Sequence, residues 1–362
     1  MQRKLASFDW VTLFTALVLG GAGAMCIFGS TAGIPGRSGL HQTQMAWLAF
    51  GVIAFAVAST VDYHVWSDLA PLLYALSLAS LAAVLVVSPR IANTHSWFVV
   101  GPVRFQPSEA AKVAVILMLG WFLSRRSGSK LGLSGLASLG IIVGVPVALI
   151  ALQPDTGTCL TYMPLFAVGV FLGGIRWRTL FVLALAAALV APLGWAYGLK
   201  GYQKERILTV IHPDRDPAGV GYQVRQSRIA IGSGELWGKG LKAGTQSRLQ
   251  FLPQQHTDFV FSALAEQWGF AGSASVLGLY FYMVMRAFST GRKARDRLGL
   301  FLAVLTGSVI GFQALINLGM ALGALPTIGV PLPLLSYGGS SILATMTALG
   351  LLANVRTRRF VN

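Results

Sequence analysis

Runs of about 20 apolar residues, each long enough for an α-helix to cross the hydrocarbon core of a bilayer, recur along this chain. Ten of them read near 10–29, 45–61, 68–88, 109–124, 136–152, 156–175, 177–198, 259–285, 299–323 and 333–354. Hydrophobic residues make up 54% of the 362 and charged residues 11%, less than half the charged share of about 25% found in a soluble domain. The pattern predicts an all-α polytopic integral membrane protein, a single transmembrane domain over 1–362 with ten transmembrane helices. The first run is too long for a cleaved signal peptide and no small-residue cleavage site follows it, so it is expected to be a retained helix. Cys26 and Cys159 fall inside apolar runs without metal-ligand neighbours and read as packing residues.

Basic residues crowd the short cytoplasmic connections of such proteins. With both termini inside, the inner segments collect residues such as Arg125, Arg126, Lys130, Arg286, Arg292, Lys293, Arg295, Arg297, Arg356, Arg358 and Arg359, and the short outer loops hold few. Most of the net charge of +16 is therefore a topology signal. No nucleic-acid motif accompanies it, so an RNA- or DNA-binding protein is excluded. Residues 199–258 are too polar to span. They form a large extracellular loop between helices 7 and 8, and a loop of this length in a compact protein is usually functional. Within it "VGYQVRQSRIAIGS" predicts a short amphipathic helix lying along the membrane surface, with Val224, Ile229 and Ile231 available for packing.

Polar residues gather in four outer segments. In "SPRIANTHSWFVVGPVRFQPSEAAK" a helix is expected to start with Ser108 as its N-cap, placing Glu109 and Lys112 three apart on one face. "QPDTGT" carries Gln153 and Asp155, the latter also able to cap the next helix through the Thr156 and Gly157 amides. "LPTIGVPLPLLSYGGSS", with Ser336 and Ser340, breaks the helical pattern, which is tolerated at membrane depth only where protein buries the backbone or it lines a cavity. "FLPQQHTDFVFSALAEQWGF" places His256 and Asp258 before the eighth run and Glu266 inside it. These segments are expected to converge on one polar pocket. Asp258 has two readings here, a catalytic carboxylate and a plain helix cap.

The ordered blocks "GPVRFQPSEAAK", "QPDTGT", "HPDRDPAGVGYQVRQSRIAIGSG", "GKGLKAGTQSRLQFLPQQHTDFVFSALAE" and "PLPLLSYGGSS" resemble the SEDS family of polytopic membrane proteins (shape, elongation, division, sporulation), most closely its rod-shape branch. The resemblance covers nearly the whole chain. It implies a peptidoglycan glycosyltransferase of the bacterial cytoplasmic membrane, serving cell elongation and rod shape. Asp258 would be essential for polymerising lipid II on the outer face, with a class B penicillin-binding protein as partner. Two positions depart from the family pattern: Ser96 and Thr43 stand where basic residues are usual. If a basic residue at either position ordinarily meets diphosphate, another cation must do so in this chain, with Arg90, Arg104 and Arg37 as candidates.

The implied reaction converts an α-linked donor into a β-linked product, so one inversion suffices. Inversion needs one base, and diphosphate leaves without an acid catalyst. Asp258 would be that base, or would hold a divalent cation (Mg or Mn) that assists. The candidate substrate contacts are Glu109, Lys112, Gln153, Asp155, Arg206, Lys239, His256, Ser336 and Ser340. Arg225, Arg228 and Lys242 are further cations able to stabilise the leaving group. Rival readings are a flippase or transporter of lipid-linked precursors, for which Glu266 would be a midplane acid, and a noncatalytic scaffold that activates a partner polymerase.

Overall fold

The computed structural model describes residues 8–359 apart from 32–33, 35, 38, 90–93, 102, 127–129, most of 176–200, 212–218 and 253. The long helices are α1 (Trp10–Thr31), α2 (Leu40–Thr60), α4 (Ala70–Val87), α5 (Pro107–Ser124), α6 (Leu133–Leu152), α12 (Val260–Arg292), α13 (Arg297–Ala321) and α14 (Gly339–Arg358). Short helices α3 (Tyr63–Asp68), α7 (Thr156–Thr161), α8 (Met163–Leu172), α9 (Gly201–Ile211), α10 (Val220–Ser233) and α11 (Thr245–Arg248) join or flank them. Seven of the described helices are long and apolar enough to cross a membrane. The expected seventh run, 177–198, lies largely outside the described residues. The sixth is divided into α7 and α8 at Tyr162, ahead of Pro164, which takes an early helical position because its missing N–H costs nothing there.

Large apolar side chains face outward, among them Phe50, Ile53, Leu72, Leu76, Phe171 and Phe281, while polar side chains such as Gln44, Gln153, Glu266, Asn317 and Asn354 are fully buried. Such an exterior suits lipid, where backbone and polar groups must find partners within the protein. Two apolar clusters fill the interior. One joins α1, α2, α12 and α14, and the other joins α4, α5, α6 and α8 to α13.

Successive helices alternate in direction, so the bundle has two ends. One is basic: Asp9 pairs with Arg286 and, at 3.7 Å, with Arg356, while Asp62 meets Arg358 at 3.0 Å and Asp68 meets Arg125 at 2.9 Å. The other end collects 106–112, 153–158, 254–259 and 328–340, and is the site end.

Three local structures there differ from expectation. A hairpin of β1 (Phe98–Val100) and β2 (Val103–Phe105), pairing Phe98 with Phe105, precedes α5; its β-branched and aromatic residues favour strands. The start of α5 is Pro107, with Gln106 in the cap position, so Ser108 caps nothing and its buried hydroxyl finds no partner. The last helix begins at Gly339, because 331–338 turns back through the bundle end with Leu334 at φ +68°.

Close approach of α1 to that turn depends on Gly23, where an added Cβ would lie 2.4 Å from the Leu335 carbonyl oxygen, whereas Gly21 on the same helix has open space. Gly23→Ala is expected to destabilise the bundle by about 1–3 kcal/mol, the range for overpacking. Gly21→Ala should be neutral or slightly stabilising through helix propensity. Thermal unfolding in detergent checks both, and equal melting shifts would contradict the packing assigned to Gly23.

Candidate active site

Segment 254–259 is a tight turn in which the Gln254 carbonyl accepts from the amides of Thr257 (3.1 Å), Asp258 (3.1 Å) and Phe259 (3.3 Å). It is tied to the 331–338 turn: the Ser336 hydroxyl donates to the Thr257 carbonyl (2.6 Å) and accepts from the Leu332 amide (2.8 Å), and the Tyr337 amide donates to the His256 carbonyl (2.8 Å). Gln44, from α2, donates to the carbonyls of Ser336 (3.0 Å) and Leu334 (3.4 Å). Asn317, from α13, donates to the carbonyls of Asp258 (2.9 Å) and Val330 (2.8 Å). Gln255 reaches the Ser30 carbonyl at 3.0 Å. Segment 254–259 is thus held by α13 through Asn317, by α1 through Gln255 and by the 331–338 turn, itself braced from α2 by Gln44.

Its carboxylate does not cap α12, whose cap position belongs to Phe259 and receives no side-chain bond. Instead it lies against Gly329, where a Cβ would stand 3.4 Å from Oδ2. Asp258 is half-buried. Desolvation pushes its carboxyl up to about 6, opposed by a hydrogen bond from Thr257 and by the Arg206 guanidinium, and reinforced by Asp155.

Asp155 does cap α7, through the Thr158 amide (3.1 Å) and hydroxyl (2.8 Å) rather than Thr156 or Gly157. It also accepts from Gln106 Nε2 at 2.9 Å. Burial raises its carboxyl despite the Thr158 bonds, with Glu109 adding to the rise and Lys112 opposing it. Gly157 admits the 328–329 backbone, since a Cβ there would fall 2.5 Å from the Ile328 carbonyl oxygen. Glu109 and Lys112 form a 2.8 Å ion pair, each about 5% exposed or less. Ser340 accepts from the Gln106 amide at 2.9 Å.

The structure therefore brings Asp258, Asp155, Arg206, Glu109 and Lys112 into one electrostatic neighbourhood, with His256, Ser336 and Ser340 at its edge. His256 is held neutral: burial lowers its imidazole, and Arg37 lowers it further. Its ring stands 6.0 Å from that of Tyr337. Tyr337 lies beside Arg104 and is hydrogen-bonded to Thr43. Ser96 is buried without a partner and supplies no charge, and Arg90 lies outside the described residues.

Other candidates point elsewhere. Gln153 is buried and donates to the Leu81 carbonyl at 3.1 Å. Lys239 pairs with Glu266 at 3.2 Å, and Arg228 binds the carbonyls of Leu322 and Gly323 beyond α13. Lys242 rests over the Phe28 ring at 4.3 Å. In the α10 helix Val224 is buried, Ile231 packs on the core and Ile229 is exposed. Sequence reasoning passed over Gln44, Gln106, Asn317 and Tyr337. The available signal for two of them was an amide inside an apolar run, costly unless it meets backbone.

A family model described as cell cycle protein, FtsW/RodA/SpoVE, matches residues 13–360. Peptidoglycan glycosyltransferase MrdB of Escherichia coli K12 is 36% identical over 322 residues, covering 89% of this chain and 86% of its own. Peptidoglycan glycosyltransferase RodA of Treponema pallidum is 32% identical over 99% of both chains. Among solved structures, a chain of a peptidoglycan synthase complex coordinating polymerization and crosslinking superposes with a TM-score of 0.82 at 34% identity, covering 98% of this chain and 99% of that one. The rod shape determining protein RodA of Thermus thermophilus superposes with a TM-score of 0.71 at 31% identity, covering 98% of each chain. The apolar helices and these matches together define a multi-pass membrane glycosyltransferase. The chain belongs to the FtsW/RodA/SpoVE family, the SEDS family, and its activity is that of a peptidoglycan glycosyltransferase.

The buried Glu109–Lys112 pair gives a direct test of the geometry. Lys112→Met should destabilise by about 3–5 kcal/mol because it strands a buried carboxylate, and adding Glu109→Gln should recover much of that loss. Thermal melting of the three proteins checks it; a double variant no more stable than Lys112→Met would contradict the pairing.

Proposed function

We propose that this chain polymerises lipid II into glycan strands with Asp258 as the general base, at the outer face of the bacterial cytoplasmic membrane. The observation that carries the reading is the placement of Asp258: its backbone is pinned by Asn317 while its carboxylate caps nothing. Desolvation raises that carboxylate toward neutrality, and the Arg206 guanidinium opposes the rise. A base poised near the working pH is what proton abstraction from a sugar hydroxyl requires.

In the step proposed, a hydroxyl of the acceptor's terminal sugar gives its proton to an Asp258 carboxylate oxygen. The hydroxyl oxygen bonds to the donor's anomeric carbon as the bond to undecaprenyl diphosphate breaks. The anomeric centre inverts, and the electron pair leaves on the diphosphate. Arg206, whose guanidinium favours the ionised Asp258 through space, stabilises the developing charge. Arg104 beside Tyr337 and Arg37 beside His256 supply cations on the flank where Thr43 and Ser96 carry none.

Among the described residues, no three His, Cys, Asp or Glu side chains come together as a metal site. On this reading any assisting Mg²⁺ or Mn²⁺ arrives on the substrate diphosphate, whose oxygens such ions favour.

The basic end then faces the cytoplasm, as the positive-inside rule requires, with both termini on that side and 199–258 outside. A class B penicillin-binding protein is the proposed partner, by analogy with the synthase complex that this fold matches. The transporter reading loses its midplane acid, because Glu266 is engaged by the outer loop.

Purified protein, alone and with a cognate penicillin-binding protein lacking transpeptidase activity, should convert labelled lipid II into glycan ladders. Asp258→Asn should abolish them with folding and complex formation intact; ladders from that variant at wild-type rate would sink the base assignment. The ionised carboxylate is the active form, so the rate should fall as pH drops through about 6. A single-turnover pH profile with no acid limb in that region would count against the reading.

A further inference from the structure

Helix α12 is broken at Gly269, which has φ +64° and ψ −162°. At the break the outer loop enters the helix's own hydrogen-bond ladder. Lys239 and Gly240 donate their amides to the carbonyls of Glu266 (2.9 Å) and Gln267 (3.0 Å), and Phe270 and Ala271 donate theirs to Glu235 (2.8 Å) and Leu236 (3.0 Å). Glycines make the contact backbone to backbone. A Cβ at Gly234 would lie 1.9 Å from the Ala265 carbonyl oxygen, at Gly238 2.2 Å from that of Gln267, and at Gly269 2.3 Å from the Gly238 nitrogen.

Glu266 completes the clasp. It is fully buried, and its Oε1 accepts from the Gln246 amide (2.9 Å), Lys239 Nζ (3.2 Å) and the Thr245 hydroxyl (3.3 Å). Its Oε2 accepts from the Ser247 amide (3.0 Å) and hydroxyl (2.6 Å). Two of these amides open α11, whose cap residue Gly244 has no side chain to satisfy them. The chain from Ser247 to Glu266 is thereby closed into a ring with Asp258 on it. Within the ring, the Leu252 amide returns to the Gln246 carbonyl at 3.4 Å.

We propose that Glu266 is a positioning residue for Asp258: it rivets loop 234–248 to the half-helix 260–268, so that the catalytic carboxylate, its turn and the loop form one rigid body set apart from the rest of α12 by the Gly269 break. The inference rests on the reading of Asp258 as the base. Glu266→Gln places an amide group against donors already aimed at it and removes the charge facing Lys239, so the ring opens while the α12–α13 packing below Gly269 is untouched.

The test uses the full-length protein in nanodiscs with its penicillin-binding protein, comparing wild type, Glu266→Gln, Ser247→Ala and Asp258→Asn. Amide exchange over 239–248 should quicken in Glu266→Gln and less so in Ser247→Ala, with α13 and α14 unchanged. The lipid II turnover number should fall about 100-fold, as for a displacement of about 1 Å of a reacting group, with KM little changed. The acid limb, near pH 6 in wild type, should move to lower pH as water reaches Asp258. A smaller active fraction alone would leave that limb in place. Unchanged exchange over 239–248, or an unmoved limb, in Glu266→Gln overturns the proposal. If that variant fails to fold, the same outcomes in Ser247→Ala decide it. Activity in Asp258→Asn would overturn the base assignment instead, and the exchange result would still stand for the clasp.

Discussion

A backbone that leaves helical geometry inside an apolar bundle must have its freed carbonyls and amides met by protein, since lipid offers nothing. At the site end this obligation falls on a few amide and hydroxyl side chains. Asn317 holds Asp258 and Val330 by their carbonyls, Gln44 holds Leu334 and Ser336, and the Ser336 hydroxyl joins Leu332 to Thr257. Leu334 sits in the left-handed region, a strained conformation for a branched side chain, and the Gln44 bond to its carbonyl helps to hold it. The location of Asp258 is therefore a consequence of how irregular backbone is satisfied, with its carboxylate bonded to Thr257 and capping no helix.

The charges around it are sorted by the same economy. Glu109 and Lys112 neutralise each other where both are buried, which makes the pair a fixed dipole. Asp155 is held by uncharged donors from Thr158 and Gln106 and raises Asp258 through space. Two carboxylates in one poorly hydrated region resist being ionised together. Desolvation first, and Asp155 in addition, make Asp258 a stronger base than an exposed aspartate, while the Thr257 bond and the Arg206 guanidinium oppose the rise.

Much of this was legible in the chain itself. The apolar runs 10–29, 68–88, 109–124, 136–152 and 299–323 correspond to helices within a few residues, because a span of bilayer thickness is a length constraint that propensity cannot override. The convergence of four polar segments follows from alternating helix direction. Three features were hidden for identifiable reasons. The cap of α5 was misplaced because Pro107 competes with Ser108 for the helix start and takes the first helical position. The fate of Lys239 and Arg228 was hidden because a charged residue in a loop has no periodicity to reveal its partner. Glu266 looked like an acid at membrane depth, since nothing in a linear sequence shows a loop folding back 20 residues to meet it.

The assignment of cations narrows how the leaving diphosphate is met. Lys112 is committed to Glu109, Lys239 to Glu266, Arg228 to the carbonyls beyond α13, and Lys242 to the face of Phe28. Moving Lys112 or Lys239 onto substrate would strand a buried carboxylate, a larger loss than one new phosphate interaction returns. The guanidinium of Arg206 acts through space on Asp258, and those of Arg104 and Arg37 act on Tyr337 and His256. On the proposed reading the diphosphate therefore lies between the α9 side and the flank formed by β2 and the start of α2. Thr43 can lack a charge there because β2 brings Arg104 to the same phenol that Thr43 touches. Arg104 is exposed on a two-stranded hairpin rather than packed in a helix, so it can follow the diphosphate as the bond breaks, while Asp258, which must be in place before the bond breaks, is the group the fold holds still.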